Sequence, residues 1–321
     1  MKTPLRHKIG KTATAAALAL AVTGLAPHHT FAQSGNVPAP TVDEDIALVQ
    51  FLEEIGGAER INYAGKLRML SQRIAAAACI VHADINPGES EALLHGSIEE
   101  FDKILAALEF GDEGLGIIGV EERRKTLAAI HALKERWSAV EEIVREVENH
   151  SATEAHVQFI ADENMAVLGD AKLLVSEVSG QYADPTALLQ SDALRIDIAG
   201  RQRMLTQKIS KEVCFIGSDI NAAASMEVLG GTINMFEVSL NALQHGMPEA
   251  GIGPAPNDEI AAQLTQVSAD WSAIKPHLDM VMAGGVLDDA TRVEVFKGLN
   301  KTMGNMNVAV GMFAESSKLG L

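Results

Sequence analysis

A fifteen-residue segment that occurs twice constrains this chain more than any other feature. RINYAGKLRMLSQRI at 60–74 aligns without a gap on RIDIAGRQRMLTQKI at 195–209. The register persists beyond the motif. At the same offset Cys79 falls on Cys214, Asp84-Ile85-Asn86 on Asp219-Ile220-Asn221, Gly96 on Gly231, Phe101 on Phe236 and Gly169 on Gly304. Trp137-Ser138-Ala139 meets Trp271-Ser272-Ala273 one residue short of that spacing. A correspondence held over more than a hundred residues is a repeated folding unit, and two such units on one chain pack as a homodimer does, about a pseudo-two-fold axis.

The unit is helical. Apolar residues recur at a period near 3.6, Ala, Leu, Glu, Met and Gln are abundant, aromatic residues make up only 4% of the chain, and no alternating strand pattern stands out. The spacing predicts eight helices, over 43–85, 89–110, 120–149, 153–181, 185–219, 222–245, 257–282 and 289–317. They are separated at Pro87-Gly88, Gly111 to Gly119, Asn149 to Ser151, Asp184-Pro185 and Gly246 to Asn257. The expected fold is all-α, with two tandem antiparallel four-helix bundles, over 43–181 and 185–321, packed as an intrachain pseudo-dimer.

Residues 1–32 read as an export signal. Lys2, Arg6, Lys8 and Lys11 precede the apolar run Thr12 to Leu25, and Thr30-Phe31-Ala32 supplies the small-residue cleavage site. A flexible lead-in follows at 33–42. No later stretch offers the roughly 20 apolar residues of a membrane helix, so the mature chain is expected to be periplasmic, without membrane insertion after signal cleavage. The formal net charge is −17, which disfavours nucleic acid and anionic membranes as partners. An anion recognised by such a chain has to be held by a local cluster of arginines.

The motif helix has two faces when drawn at 100° per residue. Tyr63, Leu67, Leu70, Ile74 and Val81 form an ordinary apolar face. Ile61, Gly65, Arg68, Gln72, Cys79, Ala83 and Asn86 form a small, polar stripe, matched by Ile196, Gly200, Arg203, Gln207, Cys214, Ser218 and Asn221. If the two stripes face each other, Arg68 and Arg203 converge beside Gly65 and Gly200. Their planar forks then suit a flat oxyanion such as nitrate, nitrite or a carboxylate. The other reading has Arg68 and Arg203 paired with acids such as Asp84 or Glu59, or reaching solvent. Arg60, Lys66, Arg73, Arg195, Arg201 and Lys208 are expected to be solvated. Cys79 and Cys214 lie on the same stripe, either joined by a disulfide between the repeats or buried as two small apolar residues.

The motif in both copies resembles the signature of the N-terminal sensor domain of type IV pilus methyl-accepting chemotaxis transducers, the PilJ family. It is also similar to the box of the nitrate/nitrite-sensing (NarX-like) histidine kinases. The resemblance implies a periplasmic four-helix bundle whose box helices meet and hold one nitrate through an arginine from each. On this chain those arginines are Arg68 and Arg203, beside the backbone at Gly65 and Gly200. Asp197 stands where the pattern has asparagine, and Gln202 where the kinase box is usually apolar. Met-Leu-Ser-Gln and Met-Leu-Thr-Gln after the arginines follow the pilus-transducer version. Those relatives carry membrane helices and cytoplasmic modules, so this chain is expected to act through a membrane sensor kinase or chemotaxis transducer.

The residues suggest no catalysis. No histidine pair has metal-ligand spacing, no nucleophile elbow or phosphate loop is present, and Ser71 and Thr206 have no nearby base. Trp137, Trp271 and the methionines Met303, Met306 and Met312 read as packing residues. The expectation is therefore a non-enzymatic protein with no cofactor or metal, binding a small nitrate- or nitrite-like anion. The alternative is an interaction module, without ligand, of an envelope or type IV pilus-linked chemosensory assembly.

Overall fold

A computed structural model describes the backbone of residues 42–182 and 190–318 and the side chains of 57–182 and 191–317. The expected export signal at 1–32, almost all of the expected lead-in at 33–42 and the expected break at Asp184-Pro185 lie outside the described residues. Within them the chain is all-helical. Helices α1 (Val42–His82), α2 (Pro87–Phe110), α3 (Arg124–Glu148) and α4 (Glu154–Tyr182) form the first half. Helices α5 (Gln190–Gly217), α6 (Ala222–His245), α7 (Asp258–Met282) and α8 (Asp289–Lys318) form the second. In each half the first helix packs on the second and the fourth, and the third on the fourth, while α1 of one half lies directly against α5 of the other. Contacts between α1 and α5 join positions of equal rank in the two copies, so these two helices run parallel.

The repeat extends to backbone detail that composition does not reveal. Both motif helices end in the same closure. Ile85 N–H donates to Ile80 O and Asp84 N–H to Val81 O, as Ile220 N–H does to Phe215 O and Asp219 N–H to Ile216 O. Asp84 and Asp219 take the left-handed conformation that such a closure requires, at φ 54° and 56°. The helices therefore stop at His82 and Gly217, short of the expected 85 and 219. Aspartate tolerates this conformation because its side chain is short and polar. Ala83 and Asn86, placed by sequence on the helical stripe, thus fall in the turn. After α2 and α6 the chain repeats another device, a one-turn 3-10 segment (Glu113–Leu115 and Pro248–Ala250) closed by an isolated bridge, Asp112 to Ile117 and Met247 to Ile252. This loop delays α3 to Arg124, later than the expected 120.

The apolar face of each motif helix enters its own bundle. Leu67, Leu70 and Ile74 in α1, and Leu205 and Ile209 in α5, are buried with Phe101 and Phe236 of the neighbouring helices. Each phenylalanine packs on the tryptophan of the third helix in its half, with ring centroids 4.5 Å apart for Phe101 and Trp137 and 4.3 Å for Phe236 and Trp271. The tryptophans also donate from Nε1, Trp137 to Asp102 and Trp271 to Glu237, which are again equivalent positions.

Gln202 departs from this pattern. It stands where the first copy has Leu67, is fully buried, and donates from Nε2 to Phe236 O at 2.9 Å, leaving Oε1 buried without a donor. A buried acceptor left in this way costs on the order of 1–3 kcal/mol. Gln202→Leu is therefore expected to raise the unfolding free energy by about 1 kcal/mol, read as a higher urea midpoint. A lowered midpoint would contradict this account of the position.

Candidate functional site

The small stripes of α1 and α5 meet because neither helix carries bulk there. Gly65 on one side and Gly200 on the other are both buried. Glycine in a helix interior costs stability relative to alanine. Its presence at the same point of both copies makes room for something other than backbone. At Gly200 that something is two guanidinium groups. A Cβ built on Gly200 would stand 3.7 Å from Arg203 Nη2 and 4.0 Å from Arg68 Nη2, and a Cβ on Gly65 would stand 3.6 Å from Arg68 Nη2. Arg68 and Arg203 do converge across the pseudo-axis, each folding back over the glycine one turn before it.

Both arginines are buried, at 9% and 5% exposure. Arg68 reaches Asp197 Oδ1 at 3.4 Å, a long contact to a carboxylate whose other oxygen is held by Arg201 at 2.5 Å. Arg203 meets no carboxylate at ion-pair distance among the described residues. It donates from Nη1 to Asn307 Oδ1 at 2.7 Å. Nε of each arginine is buried and donates to nothing among the described residues. Burial first, then the charges of Arg68 and Arg73, pulls the Arg203 guanidinium down to about 10. Burial likewise lowers Arg68, against the opposing pull of Asp197. The partners that sequence suggested for Arg68, Asp84 and Glu59, are not the ones it meets. The carboxylate comes from Asp197, the residue by which the second copy departs from the first, where Asn62 stands.

The residues around the arginines were not all legible as buried. Arg60 is 2% exposed, not solvated. It donates to Leu108 O at 2.7 Å, Ile118 O at 3.2 Å and Gly119 O at 2.6 Å, holding the loop after α2. Arg195, its equivalent, pairs with Asp192 at 2.7 Å. Arg73 is also buried, at 9% exposure, with Nε 3.4 Å from Gln207 Oε1 and Nη2 3.1 Å from Met303 Sδ. Lys66 and Lys208 bond Glu100 and Glu212 respectively. Hydrophobic periodicity cannot separate a buried cation from a solvated one, since either type of residue interrupts the apolar face.

Lys211, which sequence reading passed over, is buried on the seam. It donates to Gln72 Oε1 at 2.9 Å and Asn164 Oδ1 at 2.8 Å, linking α5 to α1 and α4. The first copy has Ala76 at its position. Burial pulls the ammonium down to about 8. The unfolded chain then binds more protons than the folded one between about pH 8 and the ordinary lysine value, so stability rises with pH across that window. Below about pH 8 the full cost of the buried charge is present. Lys211→Met is expected to flatten the rise, measured as urea midpoints between pH 7 and 10.5; an identical pH dependence in the variant would show that other groups cause it.

Beyond Lys211 the seam is covalently closed. Cys79 and Cys214 are joined by a disulfide, with Cα atoms 6.2 Å apart and a sequence separation of 135. Both are buried. Non-reducing intact-mass analysis is expected to give the chain lighter by two hydrogens. Removing the bond with Cys79→Ser and Cys214→Ser should lower stability by about 2–5 kcal/mol in chemical denaturation; a full-mass chain with two alkylatable thiols would rule the bond out.

Among the described residues no group of three or more His, Cys, Asp or Glu could hold a metal, and no helix is long and apolar enough to cross a membrane. Comparison with protein families finds one matching model, that of the type IV pili methyl-accepting chemotaxis transducer N-terminal domain (PilJ), over residues 53–161 and again over 186–291. No curated protein matches the chain.

Proposed function

Because the chain belongs to the family of type IV pili methyl-accepting chemotaxis transducer N-terminal domains, a sensor-type domain present here in two copies, we propose that it is a periplasmic binding or sensor protein for a small oxyanion. The anion, of nitrate or nitrite type, lies between the two copies, held by Arg68 and Arg203 beside Gly65 and Gly200. Ligand state passes to a separate membrane partner, a sensor kinase or chemotaxis transducer, and the chain itself does no catalysis.

The observation that carries this reading is the convergence of two buried guanidiniums over one glycine, each with a buried Nε that donates to nothing among the described residues. Like charges brought together out of water repel strongly and persist only with compensation. Asp197 supplies one carboxylate, shared with Arg201, and leaves Arg203 with a neutral amide. A planar anion accepting from both forks balances the pair and uses their free N–H groups. The disulfide between the copies supports an oxidising compartment. A purely structural seam is less well supported, since packing alone favours apolar residues over two arginines of like charge.

Thermal-shift and calorimetric titration with nitrate, nitrite, formate, acetate and sulfate tests the proposal. A ligand at tenfold excess over its Kd should stabilise the native protein by about 1.4 kcal/mol, and Arg68→Ala and Arg203→Ala should abolish the shift. No response to any of these anions, or shifts in both variants equal to that of the native protein, would refute the oxyanion reading.

A further inference from the structure

The seam holds more buried positive charge than a single monoanion balances. Arg68, Arg203 and Arg73 are each at least nine-tenths buried. They form a row with Arg203 in the middle. Arg203 shares the space over Gly200 with Arg68. On its other side it reaches Asn307 of α8, one turn from Met303, on which Arg73 ends. Arg73 also lies against Gln207, one turn after Arg203 on α5.

The row meets one carboxylate within ion-pair distance among the described residues, Asp197, and that one at the Arg68 end. Glu100 acts on Arg73 and Arg203 only from a distance, and its own carboxylate is bonded by Lys66. Arg73 has only a glutamine oxygen at 3.4 Å and a thioether sulfur as acceptors. Both are poor substitutes for an anion beside a buried guanidinium. Three buried guanidiniums against one carboxylate, which Arg201 also bonds, leave at least two positive charges unbalanced along the row, apart from Lys211 further along the seam, in a chain whose overall charge is −17.

We propose that the preferred ligand of this seam is a dianion with two separated charges, a short dicarboxylate, with one end between Arg68 and Arg203 and the other between Arg203 and Arg73. This rests on the oxyanion reading above and narrows it. One turn of α5 separates Arg203 from Gln207, a rise of about 5–6 Å, which is the scale of a four-carbon diacid. Arg73 is then a ligand-binding residue and α8 a wall of the site. The second copy has Lys208 in place of Arg73, turned instead to Glu212, so the site has one such extension and the ligand binds in one orientation.

Calorimetric titration with succinate, succinamate and nitrate separates the possibilities. Succinamate keeps the length of succinate and replaces one carboxylate by a neutral amide. The native protein is expected to bind succinate at least about tenfold more tightly than succinamate, the scale of one charge-assisted contact. Arg73→Gln should bring the two affinities together while changing nitrate affinity by less than about threefold, and Arg73→Lys should restore part of the preference. Equal affinities for succinate and succinamate in the native protein overturn the proposal without any variant, as does a preference that survives Arg73→Gln. Nitrate binding that depends on Arg68 and Arg203 would then leave the oxyanion reading standing. Failure of succinate to bind overturns the dicarboxylate proposal, and only failure of every anion in the wider panel above overturns both.

Discussion

A helix packed in parallel against its own copy, with arginines at the point of contact, sets the terms for everything around it. Parallel contact about a pseudo-two-fold brings like residues together, which is harmless for Gly65 and Gly200 and costly for Arg68 and Arg203. The neighbouring helices meet that cost with polar groups. Asn307 of α8 accepts from Arg203, and Asp197 of α5 approaches Arg68. Further along, Gln72 and Asn164 accept from Lys211. The disulfide beyond them keeps the two helices from separating along this line. The outer helices thus complete the seam as well as burying their own apolar faces.

Carrying both halves on one chain removes a restriction that a homodimer obeys. Identical subunits present each residue twice, so a charge placed at the axis is doubled. Here the copies have diverged where they touch. Asn62 faces the role of Asp197, Lys172 that of Asn307, Ala76 that of Lys211 and Leu67 that of Gln202. The first three lie along the seam and make it polar in one direction, while the fourth is turned into the second bundle. A domain duplicated in this way no longer has to present the same residue twice at its axis. The chain as a whole is strongly acidic, with a net charge of −17, so the buried cations of the seam stand as a local cluster against the global field.

The duplication and the helical class are readable in the chain itself, and the small, polar stripe makes the approach of Arg68 to Arg203 one of two open readings, the other being pairing with acids or exposure to solvent. Gly65, Gly200, Cys79 and Cys214 share the stripe by simple 3.6-residue arithmetic. Helices α1 and α5 end two or three residues short of where the spacing places them, since Asp84 and Asp219 carry no helix-breaking signature and only the closed backbone shows their left-handed conformation. What tertiary structure alone decided is which cations are buried and what they face. Arg60, Arg73 and Lys211 are polar interruptions indistinguishable by periodicity from Arg201 or Lys66. Their burial follows from the placement of α4, α8 and the loop after α2, segments tens to hundreds of residues away. The electrostatic character of the seam depends on those long-range neighbours, because the strength of a charge is set by how much water the surrounding helices exclude.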